Sequence, residues 1–189
     1  KGYAISSIQL VLIISSIIAI LVYILSESIA THIFNKPEFS EVLSWFGIMI
    51  ILVSINYTIA ESYKGAGKPV LSSYLQNVIV PLITILLGSI FYYLEKINLI
   101  SATQSLASGA LVALIVSVFL WRKIFKSVTK TTIRFIQIIK EGWPMLLITS
   151  GGLIMAWSDI IIIGIFGTTK ELGIYSAASR TVLVTSLIL

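Results

Sequence analysis

The chain contains no cysteine and a single histidine, His32. Disulfides and thiolate metal sites are therefore excluded, as is a multi-histidine metal cluster. Charged residues make up only 11% of the chain, well below their share in soluble domains. The sequence shows no serine–histidine–aspartate set, no paired carboxylates at a workable depth and no metal-ligand spacing. We therefore predict neither an enzyme nor a cofactor or metal site.

Apolar residues, by contrast, are abundant. They form 57% of the chain, and the mean hydropathy is +1.03. Several apolar runs reach about 20 residues, the length that crosses a bilayer core as a helix. The sequence predicts an all-α, polytopic transmembrane helix bundle of about six spans. The predicted spans are residues 5–25, 42–60, 70–93, 106–121, 144–166 and a sixth that begins near residue 172.

The net charge of +5 comes from basic residues that cluster between the spans. This pattern is typical of membrane topology and does not indicate nucleic-acid binding. Lys1 and the loops 64–68 and 122–140 are positive, whereas the loops 27–41, 95–96 and 170–171 are acidic or balanced. The positive-inside rule places the first set in the cytoplasm and gives every span a consistent orientation.

The most basic stretch is residues 122–140, which carry six lysine or arginine residues and no acidic residue. Two compatible interpretations stay open. The stretch is a solvated loop that marks the cytoplasmic side, or it is an amphipathic helix on an anionic leaflet, with Phe125 and Val128 toward lipid.

One acid and one base lie inside the last two predicted spans. Pro144 is expected at the start of the fifth helix, where no amide hydrogen is needed. With a turn near Thr169, Asp159 and Arg180 both lie roughly 15 Å below the same membrane face. A charge at that depth must be paired or face water. A structural ion pair and a charge exposed to a water-filled pathway are both consistent with this pattern.

Other polar residues interrupt the spans of the first part of the chain. Asn56, Gln76 and Asn77 are expected to form hydrogen bonds between helices, with cavity lining as the second interpretation. Pro81 is expected to kink the third span, because it removes one helical hydrogen bond. We interpret Glu61 and Lys64 as interfacial residues at the end of a span, with cavity lining as the second interpretation.

Two segments resemble a known family. Residues 63–68, which lead into the third span, are similar to the loop between its fourth and fifth helices. The later segment resembles its seventh and eighth helices through the motifs Trp143-Pro144, Trp157-Ser-Asp159, Gly164-Ile-Phe-Gly167 and Glu171-Leu-Gly173-Ile-Tyr175-Ser-Ala-Ala-Ser-Arg180. The family comprises polysaccharide-biosynthesis membrane proteins, the oligosaccharide (O-antigen type) flippases of the multidrug/oligosaccharidyl-lipid/polysaccharide exporter superfamily.

The resemblance implies part of a two-lobed flippase fold, with spans that match helices three to eight. Residues 1–121 would be four transmembrane helices of the first lobe, and residues 122–142 the basic cytoplasmic inter-lobe segment. Residues 143–189 would be the first two helices of the second lobe, truncated. Because the chain begins without methionine and stops within an apolar run, we expect it to be an internal fragment.

The resemblance also implies a function and a location. The protein would export lipid-linked oligosaccharide by alternating access in a bacterial or archaeal cell membrane, with membrane lipids as its surroundings. Asp159, Arg180, Asn56, Gln76 and Asn77 are the candidate substrate or cavity residues. Two alternatives are a cation-coupled multidrug exporter of the same superfamily and a membrane enzyme or scaffold that acts on lipid-linked sugars.

Overall fold

The computed structural model describes the backbone of residues 2–94, 98–124 and 135–185, and their side chains except those at 124, 180 and 183–185. Every regular element in these ranges is helical. The elements are α1 (Gly2–Ser28), a π-helical turn (Ile29–Ile33), α2 (Phe39–Gly65), α3 (Pro69–Asn77), α4 (Ile79–Tyr93), α5 (Leu99–Ile124), α6 (Phe135–Phe166) and α7 (Thr169–Thr185). The predicted all-α architecture is confirmed.

Five helical stretches in the described part are long and apolar enough to cross a membrane, which makes the chain a multi-pass membrane protein. The sixth predicted span corresponds to α7, a helix of 17 described residues that is not among the five. The five candidate spans are Gly2–Ile33, Phe39–Gly65, Pro69–Tyr93, Leu99–Lys123 and Phe135–Phe166.

The chain divides into two compact units, Lys1–Ile138 and Ile139–Leu189. In the first unit, α2 packs against α1 on one side and α5 on another, and α5 also packs against α4. The α1–α2 contact is close because Gly47 faces the backbone of Ala19; a Cβ built there would lie 3.2 Å from the Ala19 carbonyl oxygen.

The turn between α2 and α3 follows the backbone preferences of its residues. Gly67 has a φ of 74°, a left-handed conformation that glycine adopts without strain. The amide of Lys68 donates to the Tyr63 carbonyl over 2.8 Å, which closes the end of α2. Pro69 is then the first residue of α3, a position that needs no amide hydrogen.

The third predicted span is divided at Val78, which separates α3 from α4. Pro81 explains the break, because it has no amide hydrogen to donate to the carbonyl of Asn77. Helical hydrogen bonding resumes at once, with the Leu82 amide donating to the Val78 carbonyl over 3.1 Å. The predicted kink is confirmed, one turn before the proline itself.

The second unit contains most of α6 and all of α7 of the described chain. Pro144 lies inside α6, nine residues after Phe135, so its expected place at the start of a helix was wrong. Proline is tolerated within membrane helices because neighbouring groups and local adjustments satisfy the freed carbonyl. Of the basic stretch 122–140, the described ends are helical, and residues 125–134 lie outside the described part.

The turn between α6 and α7 contains a capping box. The Thr168 amide donates to Oε2 of Glu171 over 2.8 Å, and the Glu171 amide donates to Oγ1 of Thr168 over 3.2 Å. The Thr168 hydroxyl also donates to Oε2 of Glu171 over 2.9 Å. The two bonds from the Thr168 amide and hydroxyl favour the charged carboxylate and lower the pKa of Glu171. A Cβ on Gly167 would lie 2.7 Å from the Ile163 carbonyl oxygen, so only glycine fits this turn without a backbone shift.

Candidate functional site

A buried hydrogen-bond network in the first unit contains one of the predicted residues, Asn56. Its Nδ2 donates to the Leu75 carbonyl over 3.2 Å, and its Oδ1 accepts from the Ser117 hydroxyl over 2.5 Å. The Tyr63 hydroxyl donates to the Ser117 carbonyl over 2.8 Å. All four residues are almost fully buried, and together they join α2, α3 and α5. These are hydrogen bonds between helices, of the kind expected for membrane bundles.

Gln76 and Asn77 lie at the end of α3. The Gln76 side chain is half-buried, and its Nε2 donates to Oε1 of Glu61 over 2.8 Å and to the Ser72 hydroxyl over 3.1 Å. Asn77 is exposed beside the break at Val78. Gln76 therefore connects the buried part of α3 to an acidic side chain near the end of α2.

Asp159 lies on α6 in the second unit, where its carboxylate is exposed. Its Oδ2 accepts a hydrogen bond of 2.8 Å from the hydroxyl of Tyr175 on α7. The predicted partner, Arg180, has its backbone in α7, but its side chain lies outside the described part of the structure. The ion pair between Asp159 and Arg180 stays a prediction.

A groove of about 590 Å³ opens between the start of α1 and the end of α2. Three of its residues come from the first two turns of α1, and the others from the last turns of α2 and the residue after it. The lining residues are Tyr3, Ala4, Ser7, Tyr57, Thr58, Glu61, Ser62, Gly65 and Ala66. A groove with two tyrosines, three hydroxyl side chains and a carboxylate is unusual for helices that are otherwise so apolar.

One charged group, Glu61, faces the groove. The Lys64 ammonium lies 2.6 Å from Oε1 of Glu61, and Gln76 donates to the same oxygen. Both of these contacts use Oε1, which leaves Oε2 available to a ligand. The ion pair is about half exposed, so it contributes little to stability, but it fixes the position of the carboxylate at the groove wall.

The start of α6 reaches the same end of the first unit. Nε2 of Gln137 donates to the Tyr3 hydroxyl oxygen over 2.9 Å, and both side chains are largely exposed. The α1 wall of the groove is therefore hydrogen-bonded through Tyr3 to α6, the helix that begins within the basic stretch 122–140.

Sequence reasoning missed most of this groove. The signal was a polar stripe at helical spacing within an apolar span: Tyr57, Glu61 and Gly65 recur every four residues, with Thr58 and Ser62 beside them. Tyr3 and Ser7 repeat the pattern on α1. Nothing in the sequence indicated that these two stripes face each other. Among the described residues, no group of histidine, aspartate and glutamate side chains has the arrangement to hold a metal ion.

These features place the chain in the class of helical multi-pass membrane proteins. A polar groove lies at one end of its first unit. The sequence profile of the polysaccharide biosynthesis protein family matches residues 1–189, and the chain belongs to that family. Its role thus lies in polysaccharide biosynthesis at a membrane. Neither a curated protein nor a solved structure matches the chain.

Proposed function

We propose that this protein moves lipid-linked oligosaccharide across the cell membrane by alternating access. The observation that carries the proposal is the groove between α1 and α2, in a chain of the polysaccharide biosynthesis family. A glycan cannot cross hydrocarbon unaided, because each polar group that loses water without a replacement partner costs several kcal/mol. A transporter must offer such partners while the lipid tail stays in the bilayer.

The charge pattern supports a cytoplasmic opening for the groove. The basic residues Lys64 and Lys68 lie at its rim or just beyond it, and basic loops are retained on the cytoplasmic side. Lipid-linked sugars that await export present their head groups at this face. On this proposal Arg180 meets phosphate or sugar charge in the second unit, and Asp159 holds it in place or exchanges partners with it.

A topology experiment tests the orientation. The chain has no cysteine, so single cysteines at Ser40 and Ser127 report their sides of the membrane without background from this chain. An impermeant thiol reagent applied to intact cells should label Ser40→Cys and spare Ser127→Cys. Labelling of Ser127→Cys from outside would place the groove on the wrong face for loading.

A reconstitution experiment tests the function itself. The full-length protein would be placed in liposomes with a fluorescent lipid-linked oligosaccharide. An impermeant quencher would then measure the fraction of this lipid that lies in the inner leaflet. We expect exchange of the lipid between leaflets well above that of empty liposomes. Exchange no faster than in empty liposomes, together with cation-driven efflux of a cationic dye, would instead support the multidrug exporter. Release of free glycan or phosphate would support an enzyme.

A further inference from the structure

Two hydroxyl groups on the α2 wall of the groove, those of Thr58 and Ser62, already donate their hydrogens within α2 but can still accept hydrogen bonds. The Thr58 hydroxyl donates to the Ser54 carbonyl over 2.8 Å, and the Ser62 hydroxyl donates to the Ile59 carbonyl over 2.6 Å. A hydroxyl that donates its one hydrogen keeps two lone pairs and can only accept further bonds. Together with Oε2 of Glu61, these oxygens form a wall of acceptors.

The charge of the groove disfavours a phosphate ligand, as its excess of acceptors does. A phosphate group is anionic and accepts hydrogen bonds, so a wall of acceptors that includes a carboxylate opposes it. Of the two lysines near the groove, Lys64 is already bound to Glu61, and Lys68 is not among the lining residues. Sugar hydroxyls, by contrast, donate hydrogen bonds, and they suit oxygen acceptors without requiring a net charge.

The two tyrosines add an apolar contact of suitable shape. Tyr3 and Tyr57 are 47% and 44% exposed, and they line the groove from opposite helices. A tyrosine ring offers a large, rigid apolar face with a polar tip, and such a face can cover the C–H surface of a pyranose ring. The groove volume of about 590 Å³ is in the range of small-molecule sites.

We propose that the groove between α1 and α2 is a subsite for the uncharged sugar units of the substrate, and that it does not bind the phosphate groups of the carrier. The inference rests on the proposed function for the identity of the substrate, but it concerns a different step. Tyr3 and Tyr57 cover the sugar ring, while Thr58, Glu61 and Ser62 accept hydrogen bonds from its hydroxyls. The phosphate groups are held elsewhere in the protein.

A paired binding measurement tests the subsite. The full-length protein in nanodiscs would be titrated with a polyprenyl pyrophosphate that carries a neutral oligosaccharide and, separately, with the same polyprenyl pyrophosphate without sugar. The test variant is Tyr57→Ala/Ser62→Ala, which removes one ring and one acceptor from the groove. The matched control is Tyr74→Ala/Ser73→Ala, which removes the same side chains from exposed positions on α3 that do not line the groove.

We expect the test variant to weaken binding of the glycan-bearing lipid at least about tenfold, and to leave binding of the bare lipid unchanged. The unchanged binding of the bare lipid also shows that the variant is folded. The control should bind both lipids as the unaltered protein does. The subsite proposal would be overturned if the test variant bound both lipids more weakly by the same factor. It would also be overturned if the variant bound the glycan-bearing lipid as tightly as the unaltered protein does.

Binding and exchange measurements on the unaltered protein distinguish the sugar-subsite proposal from the transport proposal. If it prefers the glycan-bearing lipid through the groove but does not exchange it between leaflets, the transport proposal fails and the sugar subsite stands. If it exchanges the lipid but binds both forms with equal affinity, transport stands and the subsite is wrong.

Discussion

The hydroxyl of Tyr175 donates a 2.8 Å hydrogen bond to the carboxylate of Asp159, which joins α6 to α7. The turn between these helices consists of Gly167 and Thr168. Asp159 thus lies about seven residues before the end of α6, and Tyr175 about six residues after the start of α7. Their depths match within about 2 Å. The hydrogen bond that joins α6 to α7 at this depth is therefore between an acid and a phenol.

Removal of this hydroxyl should loosen the helical hairpin. We expect Tyr175→Phe to lower the stability of the α6–α7 hairpin slightly, because it removes the phenol that donates to the exposed Asp159 carboxylate. Tyr93→Phe, at a strongly exposed tyrosine of α4, is the matched control and should have no effect. Hydrogen exchange of the peptides around residues 159 and 175 would measure the difference. Equal exchange in both variants would show that the bond contributes nothing.

The predicted ion pair has its own test. The backbone of Arg180 lies about 6 Å deeper than Asp159 along the hairpin, a distance that a long arginine side chain can bridge. The Asp159 carboxylate is exposed, and an exposed ion pair contributes little to stability, so Asp159→Asn should destabilise the protein only slightly. Exchange of the two residues should recover that stability. If Arg180 also contacts the substrate, the exchanged protein should fold but remain inactive in transport.

Tyr175 is the observed partner of Asp159 and Arg180 the predicted one, and their comparison shows what the sequence can and cannot predict. Apolar runs define helices because every backbone polar group in lipid needs a partner within the helix. The spans and the kink caused by Pro81 were therefore predictable. The position of a turn was harder to predict. An error of about two residues moves a side chain by about 3 Å along the helix axis and rotates it by about 200° around that axis. A shift of that size decides which α7 side chain lies level with Asp159.

The groove was missed for a related reason. The stripes on α1 and α2 are visible in the sequence, but the rotation of each helix about its axis depends on tertiary packing. The close approach at Gly47 and Ala19 fixes that rotation here. A glycine among several in an apolar run does not reveal which backbone it will touch.

The buried network around Asn56 should couple α2 to α5. We expect Asn56→Ala and Ser117→Ala each to destabilise the protein by about 1–3 kcal/mol, because each leaves a buried partner unsatisfied. A double-mutant cycle should give a coupling energy of about 0.6–1.7 kcal/mol. Ser108→Ala on the same helix is the control, since its hydroxyl bonds only to the Gln104 carbonyl one turn away. A coupling energy near zero would contradict a direct bond between Asn56 and Ser117.

Gly109 allows α4 and α5 to approach each other closely. A Cβ on Gly109 would lie 2.8 Å from the Val80 carbonyl oxygen and 2.9 Å from the Thr84 hydroxyl. Gly109→Ala must therefore push the helices apart, and overpacking of this kind costs about 1–3 kcal/mol. Gly88→Ala is the matched control, because a Cβ there meets nothing within 4 Å. Thermal unfolding of both variants in detergent would compare them; equal midpoints would contradict the close approach.

The break between α3 and α4 should depend on Pro81. Pro81→Ala restores an amide hydrogen opposite the Asn77 carbonyl, so we expect one continuous helix across residues 69–93. Spin labels on cysteines at the exposed positions Ser73 and Ser89 would report the change as a longer and narrower distance distribution. Pro69→Ala is the control, because a proline at the first helical position breaks no bond. The straightened helix must also pull either on Gln76, which is bound to Glu61, or on the α4 contact at Gly109. If the distance distribution stays the same, the tertiary contacts of α3 and α4, and not the missing amide hydrogen, maintain the break.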